Sequence, residues 1–177
     1  MGKRSDFPRL KGDFYETPAG PVERLIPFLE GSRYVEPCAG AGKLVRHLNA
    51  WGLTCVGAFD IDPKAPGVVR QDAMALTAAD VDGADFVITN PPWTRSLLHP
   101  MIDHLVGFGL PVWLLFDADW AHTVQAARFE PVLYDVVSIG RVKWIEDSPH
   151  CGKDNAAWYR FGPHKNTLPT FRMRAVA

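Results

Sequence analysis

The segment FVITNPPWTRS, residues 86–96, joins an apolar run typical of a buried strand to an asparagine, two prolines and a tryptophan. Each proline fixes its own φ angle and restricts the residue before it to extended conformations. The side-chain oxygen of Asn90 and the main-chain carbonyl of Pro91 can therefore be held rigidly towards one point. Two convergent acceptors suit a substrate NH2 group, because such a group has two donors. These contacts would draw the hydrogens aside and favour a tetrahedral nitrogen with an available lone pair.

Trp93 places a large aromatic side chain directly after this corner. A planar base can stack on its face, which is worth about 1–3 kcal/mol per base. We therefore predict that Asn90, Pro91, Pro92 and Trp93 are catalytic and that Trp93 also binds the substrate. The alternative interpretation is the terminator of an edge strand followed by a core tryptophan.

A second candidate segment, EPCAGAG at residues 36–42, also follows a short apolar run. Gly40 and Gly42 permit a tight turn and a close backbone approach to a ligand just before a helix. The segment lacks the full glycine spacing of a dinucleotide-binding turn, and Glu36 at its mouth suits an ammonium group better than a pyrophosphate. An ordinary strand-to-helix turn would explain the two glycines equally well.

Carboxylates follow the next two apolar runs. Asp60, in FDIDP, lies about 20 residues beyond the glycines, where an acidic side chain can accept hydrogen bonds from ribose hydroxyls. Asp62 could instead cap a helix before Pro63. Asp72, in RQDAM, could accept a hydrogen bond from an adenine amino group, although a capping or turn role fits equally well.

The elements that must position these residues alternate along the chain. Helical spacing in PVERLIPFLEG, KLVRHLNAWG, SLLHPMIDHLVGFG and AHTVQAARF separates strand-like runs in RYVEP, TCVGAFDID, GVVRQDA, ADFVITNPPW and PVWLLFDAD. Pro27 predicts a kink or break in the first helix. The late runs PVLYDVVSIGRVKWIE and AAWYRFG predict a hairpin. This order predicts an α/β fold with a mostly parallel sheet and an antiparallel edge hairpin, which binds ligands at the carboxyl ends of its strands.

Length and composition are those of an ordinary globular protein. The chain has 177 residues, 47% hydrophobic and 22% charged, which suits a single domain spanning residues 1–177. No stretch approaches the roughly 18 apolar residues of a membrane span, and the N-terminus lacks the pattern of a signal peptide, so we expect a cytoplasmic protein. Cys38, Cys55 and Cys151 are odd in number and lie at no metal-ligand spacing, so we expect no metal site.

The net charge of −1 conceals basic ends around an acidic body. Residues 1–12 carry four basic side chains and one acidic one, residues 141–177 carry seven and three, and the remainder carries 8 and 16. Such ends permit a polyanionic partner, although a merely solvated surface explains them as well. We expect 1–12 and 163–177 to be flexible basic ends.

Taken together, these segments resemble the class I S-adenosylmethionine-dependent methyltransferases, specifically those that modify amino groups of adenine or cytosine in nucleic acids. EPCAGAG is similar to the family's glycine motif, FDIDP to its ribose-binding motif, RQDAM to its adenine-contacting motif and NPPW to its catalytic tetrapeptide. DFYETP, residues 13–18, is similar to a segment that helps to hold the cofactor in many adenine methyltransferases. The family usually has tyrosine or phenylalanine at the position of Trp93, a departure that preserves stacking.

The resemblance implies a Rossmann-like, doubly wound sheet of seven strands, with S-adenosyl-L-methionine as cofactor and methyl transfer to an exocyclic amine, in the first place that of adenine in DNA. It assigns to the cofactor site Tyr15, Thr17, Pro18, Glu36, Pro37, Cys38, Ala39, Gly40, Gly42, Asp60, Ile61, Asp72, Ala73 and Asn90. In RVKWI it assigns Lys143 and Trp144 to the substrate base, although a core role for Trp144 is equally consistent.

About 50 residues separate Gly40 from Asn90, which leaves no room for a separate target-recognition domain. Base-edge reading of DNA would then come from short loops or from a partner chain. Three alternatives stay open: an RNA adenine methyltransferase, a methyltransferase of glutamine amides in proteins, and an inactive cofactor-binding partner subunit. A glutamine amide is an alternative because its NH2 group presents the same two donors.

Overall fold

Eight strands form a single sheet in the described part of the chain, in the order β3-β2-β1-β4-β5-β7-β6-β8. The computed structural model describes residues 15–145, 151–152, 154–165 and 167–173. The strands are β1 (Arg33–Glu36), β2 (Thr54–Asp60), β3 (Val69–Arg70), β4 (Phe86–Thr89), β5 (Val112–Asp117), β6 (Leu133–Arg141), β7 (Asn155–Phe161) and β8 (Thr170–Arg172).

The first five strands are parallel wherever they pair, and the chain changes direction at the centre of the sheet. From β1 it moves outward through β2 to β3, and it then returns to the other side of β1 through β4 to β5. The carboxyl ends of β1 and β4 therefore flank a topological switch point, where open α/β sheets bind ligands. The predicted α/β class and mostly parallel sheet are confirmed.

β7 lies between β5 and β6 and is antiparallel to both, so β6 and β7 form the predicted hairpin. The hairpin does not end the sheet, because β8 pairs in parallel with β6 beyond it. The described residues thus form eight strands, where the resemblance implied seven. All three residues of β8 are exposed, so no alternation of apolar and polar residues marks this strand in the sequence. Residues 1–12, the expected basic end, lie outside the described residues.

In the described ranges the sheet is accompanied by three α-helices: α1 (Ala19–Leu25), α2 (Lys43–Ala50) and α3 (Arg95–Val106). α1 passes directly into a 3-10 helix at Ile26–Phe28, and Pro27, which cannot donate an α-helical hydrogen bond, lies within it. The predicted break is confirmed. α3 contains Pro100 and continues through it. Among the described residues, no helix combines the length and apolar character needed to cross a membrane.

The helix predicted in AHTVQAARF is wrong in type. The segment belongs to two 3-10 helices, Ala118–His122 and Val124–Val132, and the β-branched Thr123 between them has extended backbone angles. Trp120 and Phe129 are buried in the same hydrophobic cluster as α3. Side-chain packing, rather than a continuous set of α-helical hydrogen bonds, therefore holds this segment against the sheet.

Helices cover both faces of the sheet, as a doubly wound fold requires. α1 and α2 pack in one hydrophobic cluster, while α3 and the second of the two 3-10 helices pack in the other. Successive residues of β5 alternate between them, so that Trp113 joins the first cluster and Leu114 the second. Because both faces are covered, a ligand reaches the central strands at their ends, and open α/β sheets bind ligands at the carboxyl ends.

Candidate active site

A cavity of about 690 Å³ lies at the carboxyl ends of β1, β2 and β4. This volume is within the range of small-molecule sites. Most of the residues predicted for the cofactor site line it, namely Tyr15, Thr17, Glu36, Pro37, Cys38, Ala39, Gly40, Asp60, Ile61, Asp72, Ala73 and Asn90. Five segments separated in sequence thus meet at one cavity, at the position expected from the switch point.

The glycine turn after β1 is fixed by main-chain bonds to the end of β2. Gly40 and Gly42 have φ angles of 53° and 71°, a left-handed conformation that favours glycine. The amide of Ala39 donates to the carbonyl of Phe59 at 2.8 Å, and the amide of Lys64 donates to the carbonyl of Gly40 at 3.0 Å. The turn therefore has a defined shape before any ligand binds.

Asp60 ties the turn to the following loop through both oxygens of its carboxylate. Oδ2 accepts from the amide of Gly40 at 2.7 Å, and Oδ1 accepts from the amide of Asp62 at 2.7 Å. A carboxylate oxygen can accept a second bond, so both remain able to bind hydroxyl groups. No helix begins at Asp62, whose side chain instead pairs with Lys64 and Arg70.

Glu36 is a buried carboxyl group on the cavity wall, only 2% exposed. Its Oε2 atom has no hydrogen-bond partner among the described residues. Burial raises the pKa of Glu36 well above its usual range, and the nearby charge of Asp60 adds to this, while a bond from the amide of Val45 opposes it. A cationic group in the cavity would satisfy Oε2 and stabilise the ionised carboxylate.

Two further cavity residues have defined roles in the fold. Asp72 caps a 3-10 helix at Ala73–Ala75, since its Oδ1 accepts from the amide of Met74 at 2.9 Å. Asp72 thus has the capping role and also faces the cavity.

Burial raises the pKa of the Cys38 thiol to about 12, so Cys38 is a neutral thiol at physiological pH and supplies no thiolate nucleophile.

Asn90 follows β4 directly and lies on the cavity wall. Its Nδ2 atom donates to the main-chain carbonyl of Tyr15 at 2.9 Å, and its Oδ1 atom accepts from the indole nitrogen of Trp93 at 3.2 Å. Pro92 also lines the cavity, whereas Pro91 is buried and does not. The tetrapeptide therefore presents the Asn90 amide to the cavity from a rigid strand end.

Three aromatic side chains, those of Tyr15, Trp93 and Trp144, form a cluster in which Trp93 bonds to Asn90. The ring centroids of Trp93 and Trp144 lie 5.7 Å apart at an interplanar angle of 77°, and those of Tyr15 and Trp144 lie 6.2 Å apart. Trp144 thus lies beside Trp93, on the segment after β6. Lys143 is exposed one residue earlier. The two indole rings are nearly perpendicular, so a flat ligand would stack on one of them and meet the other at an angle.

Some predicted site residues do not line the cavity: Pro18, Gly42, Pro91, Trp93, Lys143 and Trp144. Pro18 is the residue before α1, and Gly42 is the residue before α2, so these two shape the chain around the cavity. Trp93 and Trp144 are half-buried beside it. The alternative interpretation, that Trp93 is a core residue, holds in part, because Trp93 packs against both hydrophobic clusters.

Nine cavity residues were not predicted: Glu16, Ala41, Lys43, Leu44, Asp62, Lys64, Met74, Leu97 and Met101. Most of them are sequence neighbours of predicted residues. Leu97 and Met101 differ, since they lie on α3, and their spacing of four residues places them on one helical face. That spacing is a usable signal for a shared face, but it does not indicate that the face borders a cavity. No three His, Cys, Asp or Glu side chains cluster as metal ligands in the described part of the chain.

No protein-family model and no curated protein matches this sequence. Among solved structures, a candidate RNA methyltransferase, PH1948 from Pyrococcus horikoshii, superposes with a TM-score of 0.61 at 17% identity, over 90% of this chain and 91% of that chain. A candidate class I S-adenosylmethionine-dependent methyltransferase from Listeria monocytogenes gives 0.57 at 12% identity, over 89% and 63% of the two chains. The modification subunit of a candidate type I restriction enzyme from Vibrio vulnificus gives 0.53 at 12% identity, over 94% and 48%.

These likenesses, at 17% identity or less, concern the fold. They show that the chain has the Rossmann-like α/β fold of methyltransferases of this class. The chain spans nearly the whole of the Pyrococcus protein but about two thirds or less of the other two. Because one fold supports many activities, the function must be argued from the site.

Proposed function

We propose that this protein transfers a methyl group from S-adenosyl-L-methionine to the exocyclic amine of a nucleic-acid base, with adenine in DNA as the preferred substrate. The observation that carries the proposal is that Asn90 shares one cavity with Glu36, Gly40 and Asp60. An acceptor for an amine and a set of groups suited to the cofactor are thus present at a single site.

The residues after β1 and β2 fit the cofactor. Oε2 of Glu36, buried and without a partner among the described residues, suits the ammonium group of the methionine moiety. The Asp60 carboxylate suits two ribose hydroxyls. Ile61 and Met74 are exposed apolar side chains on the same cavity, 66% and 42% exposed, and would pack against the adenine ring. Asp72 would accept from the adenine amino group.

When bound, the cofactor supplies an electrophilic methyl group on a sulfonium sulfur. The role of Asn90 is to accept a hydrogen from the substrate amine and to aim its lone pair. Pro91, whose carbonyl was the second predicted acceptor, does not line the cavity. No general base is required of the chain, because the nitrogen becomes positively charged and far more acidic once it is methylated. The neutral Cys38 thiol agrees with direct transfer that needs no covalent enzyme intermediate.

The aromatic side chains support a flat substrate. Trp93 bonds to Asn90 and packs against Trp144, so an extruded base could stack on one of these indole rings. Reaching a base in duplex DNA costs a few kcal/mol of lost pairing and stacking. Stacking on one ring would recover part of that cost. A glutamine side chain has no ring to stack, so these residues favour a base over a protein amide.

RNA adenine is the second candidate. The candidate RNA methyltransferase is a solved structure that aligns with this chain along about nine tenths of both lengths, whereas the modification subunit is about twice as long as this chain. A single-stranded RNA would also avoid the cost of extruding a base from a duplex. If DNA is the substrate, we expect a partner chain to assist sequence recognition. The described residues form a single sheet with its helices, and they include no separate domain that could read the base edges.

The test is incubation of the chain with methyl-labelled cofactor and, separately, duplex DNA, RNA or a glutamine-bearing protein fragment. We expect label in DNA and, after digestion to nucleosides, methylated adenine. Label in RNA alone would transfer the proposal to its second candidate. Label in the protein fragment alone would contradict it, and cofactor binding without label in any substrate would indicate an inactive partner subunit.

A further inference from the structure

The side-chain amide of Asn90 is held at both ends. Its nitrogen donates to the carbonyl oxygen of Tyr15 at 2.9 Å, and its oxygen accepts from the indole nitrogen of Trp93 at 3.2 Å. Tyr15 is distant in sequence, whereas Trp93 belongs to the same tetrapeptide. Both bonds are half-buried, where they are less open to competition from water.

The chemistry of the two partners permits only one orientation of this amide. An indole N–H can donate but not accept, so the group facing Trp93 must be the Asn90 oxygen. A main-chain carbonyl can accept but not donate, so the group facing Tyr15 must be the Asn90 NH2. Rotation of the amide by half a turn would place two donors together at Trp93 and two acceptors together at Tyr15.

We propose that Trp93 is a positioning residue, whose indole N–H fixes the Asn90 side chain with its oxygen available to the substrate amine. The inference rests on the proposed function for the identity of the amine, but the hydrogen bond itself does not depend on it. An amide oxygen has two lone pairs, so one bond to Trp93 leaves the other for the substrate. Orientation matters because an NH2 group at this point would repel the amine that the oxygen attracts.

Tryptophan is the aromatic residue that can do this while still offering a stacking face. Phenylalanine has no donor, and the tyrosine donor lies at the far end of its ring. The ring of Trp93 is anchored, because it packs against both hydrophobic clusters and contacts Trp144 at 5.7 Å between centroids. Trp93 thus differs from the tyrosine or phenylalanine that is usual in the family the sequence resembles. This difference gives Asn90, the residue proposed to act on the substrate, an additional hydrogen bond.

The first test needs neither cofactor nor substrate. The chain has six tryptophans, and Trp93→Phe identifies the indole N–H resonance of Trp93 by its loss from the proton–nitrogen spectrum. In Asn90→Ala we expect that resonance to move upfield and its hydrogen to exchange faster with solvent, because its acceptor is gone. Asn49→Ala, which removes the acceptor of the Tyr34 hydroxyl, is the control and should leave it unchanged. A Trp93 resonance that is the same in Asn90→Ala overturns the inference.

The second test separates positioning from stacking. Trp93→Phe keeps an aromatic face but loses the donor, so we expect kcat to fall about 3- to 10-fold, the effect of one hydrogen bond between neutral groups. The KM for DNA and the Kd for the cofactor should stay within about twofold of their original values. Trp93→Leu loses the face as well and should also raise KM. Trp51→Phe, at a tryptophan that is 55% exposed, is the matched control.

The two tests fail separately from the proposed function. If the Trp93 resonance responds to Asn90→Ala but no substrate is methylated, the hydrogen bond stands and the proposed reaction is wrong. If the chain methylates DNA and Trp93→Phe retains full kcat, the reaction stands and the positioning role is wrong.

Discussion

The two sides of the cavity are built differently. On the glycine side, comprising Glu36, Gly40 and Asp60, main-chain amides and carbonyls make most of the bonds. The glycine turn after β1 is one continuous segment of the chain. On the asparagine side, comprising Asn90, Trp93 and Trp144, side chains make the contacts, and they join the tetrapeptide to distant segments. The bond from Asn90 to Tyr15 spans 75 positions. The glycine side is therefore fixed mainly by backbone groups at the ends of two neighbouring strands, and the asparagine side by side-chain contacts.

This difference predicts that substitutions on the two sides change different quantities. The glycine side should determine affinity for the cofactor, and the asparagine side should determine the rate of transfer. Each prediction below either sharpens that separation or breaks it.

The largest effect is expected for Asn90→Ala. Loss of the acceptor that orients the amine should lower kcat by about 100- to 1000-fold, as for removal of one preorganised group in a transition state. Single-turnover labelling of DNA measures the rate. The Kd for the cofactor, measured by calorimetry, should change by less than about threefold, since the bonds of Asn90 to Tyr15 and Trp93 are between neutral groups. Substantial remaining turnover would show that the tetrapeptide is structural.

Asp60→Ala is expected to have the next largest effect, on the glycine side. Hydrogen bonds from hydroxyls to a carboxylate are worth about 1.5–3 kcal/mol, so the Kd for the cofactor should rise about 10- to 100-fold. Because Asp60 also accepts from the amides of Gly40 and Asp62, the melting temperature should fall too. Asp60→Asn keeps the size of the side chain, and Asp82→Ala, at an exposed residue outside the cavity, is the control. Unchanged affinity in both Asp60 variants would remove this residue from the ribose role.

Glu36→Gln should have opposite effects on stability and on binding. The folded pKa of Glu36 is raised, so its stabilising contribution is fully present below the unfolded pKa and is lost as the pH rises through the folded pKa. The glutamine variant does not suffer this loss, so its melting temperature should increasingly exceed that of the wild type as the pH rises, by about 2–4 °C for each kcal/mol. Its affinity for the cofactor should nevertheless fall about 10-fold, because the ammonium loses its charged partner. A melting difference that is independent of pH would contradict the raised pKa.

The smallest effect is expected for Gly152→Ala, which perturbs Trp144 without altering Asn90. A Cβ atom at this position would lie 2.9 Å from the carbonyl oxygen of Val142 and 3.1 Å from the nearest atom of the Trp144 ring, so the backbone must shift and the ring must move by a few tenths of an ångström. If Trp144 helps to bind the base, KM for DNA should rise about 3- to 10-fold, which is about one stacking contact. Affinity for the cofactor should not change. Gly20→Ala is the matched control, because nothing lies within 4 Å of its added Cβ. An equal effect on cofactor affinity would break the separation of the two sides.

The same difference explains what the sequence could predict. The glycine turn, Asp60 and the strand end at Asn90 were predictable, because each is a short continuous segment at the end of an apolar run. The bond from Asn90 to the carbonyl of Tyr15 has no sequence signal, since any residue carries such a carbonyl. The resemblance assigned Trp144 to the substrate base, but its contact with Trp93 was not predicted, because no local pattern specifies a contact between residues that follow different strands.

The remaining differences have similar causes. β8 has three exposed residues and lies on a sheet edge, so it lacks the alternation that marks a half-buried strand. The segment around Thr123 has a helix-like composition, but the burial of Trp120 and Phe129 decides its conformation. In both places tertiary contacts, rather than local preference, determine the structure.

The most direct test of the account is to find where the reactive methyl group lies. The measurement is a nuclear Overhauser experiment on the chain saturated with S-adenosyl-L-methionine that carries an isotope-labelled methyl group. The account predicts contacts from this methyl group to the side chains of Asn90 and Pro92, which line the cavity. Contacts instead to His99 and Gln125, which line a separate groove beside α3, would contradict it, as would a bound methyl group that contacts neither Asn90 nor Pro92.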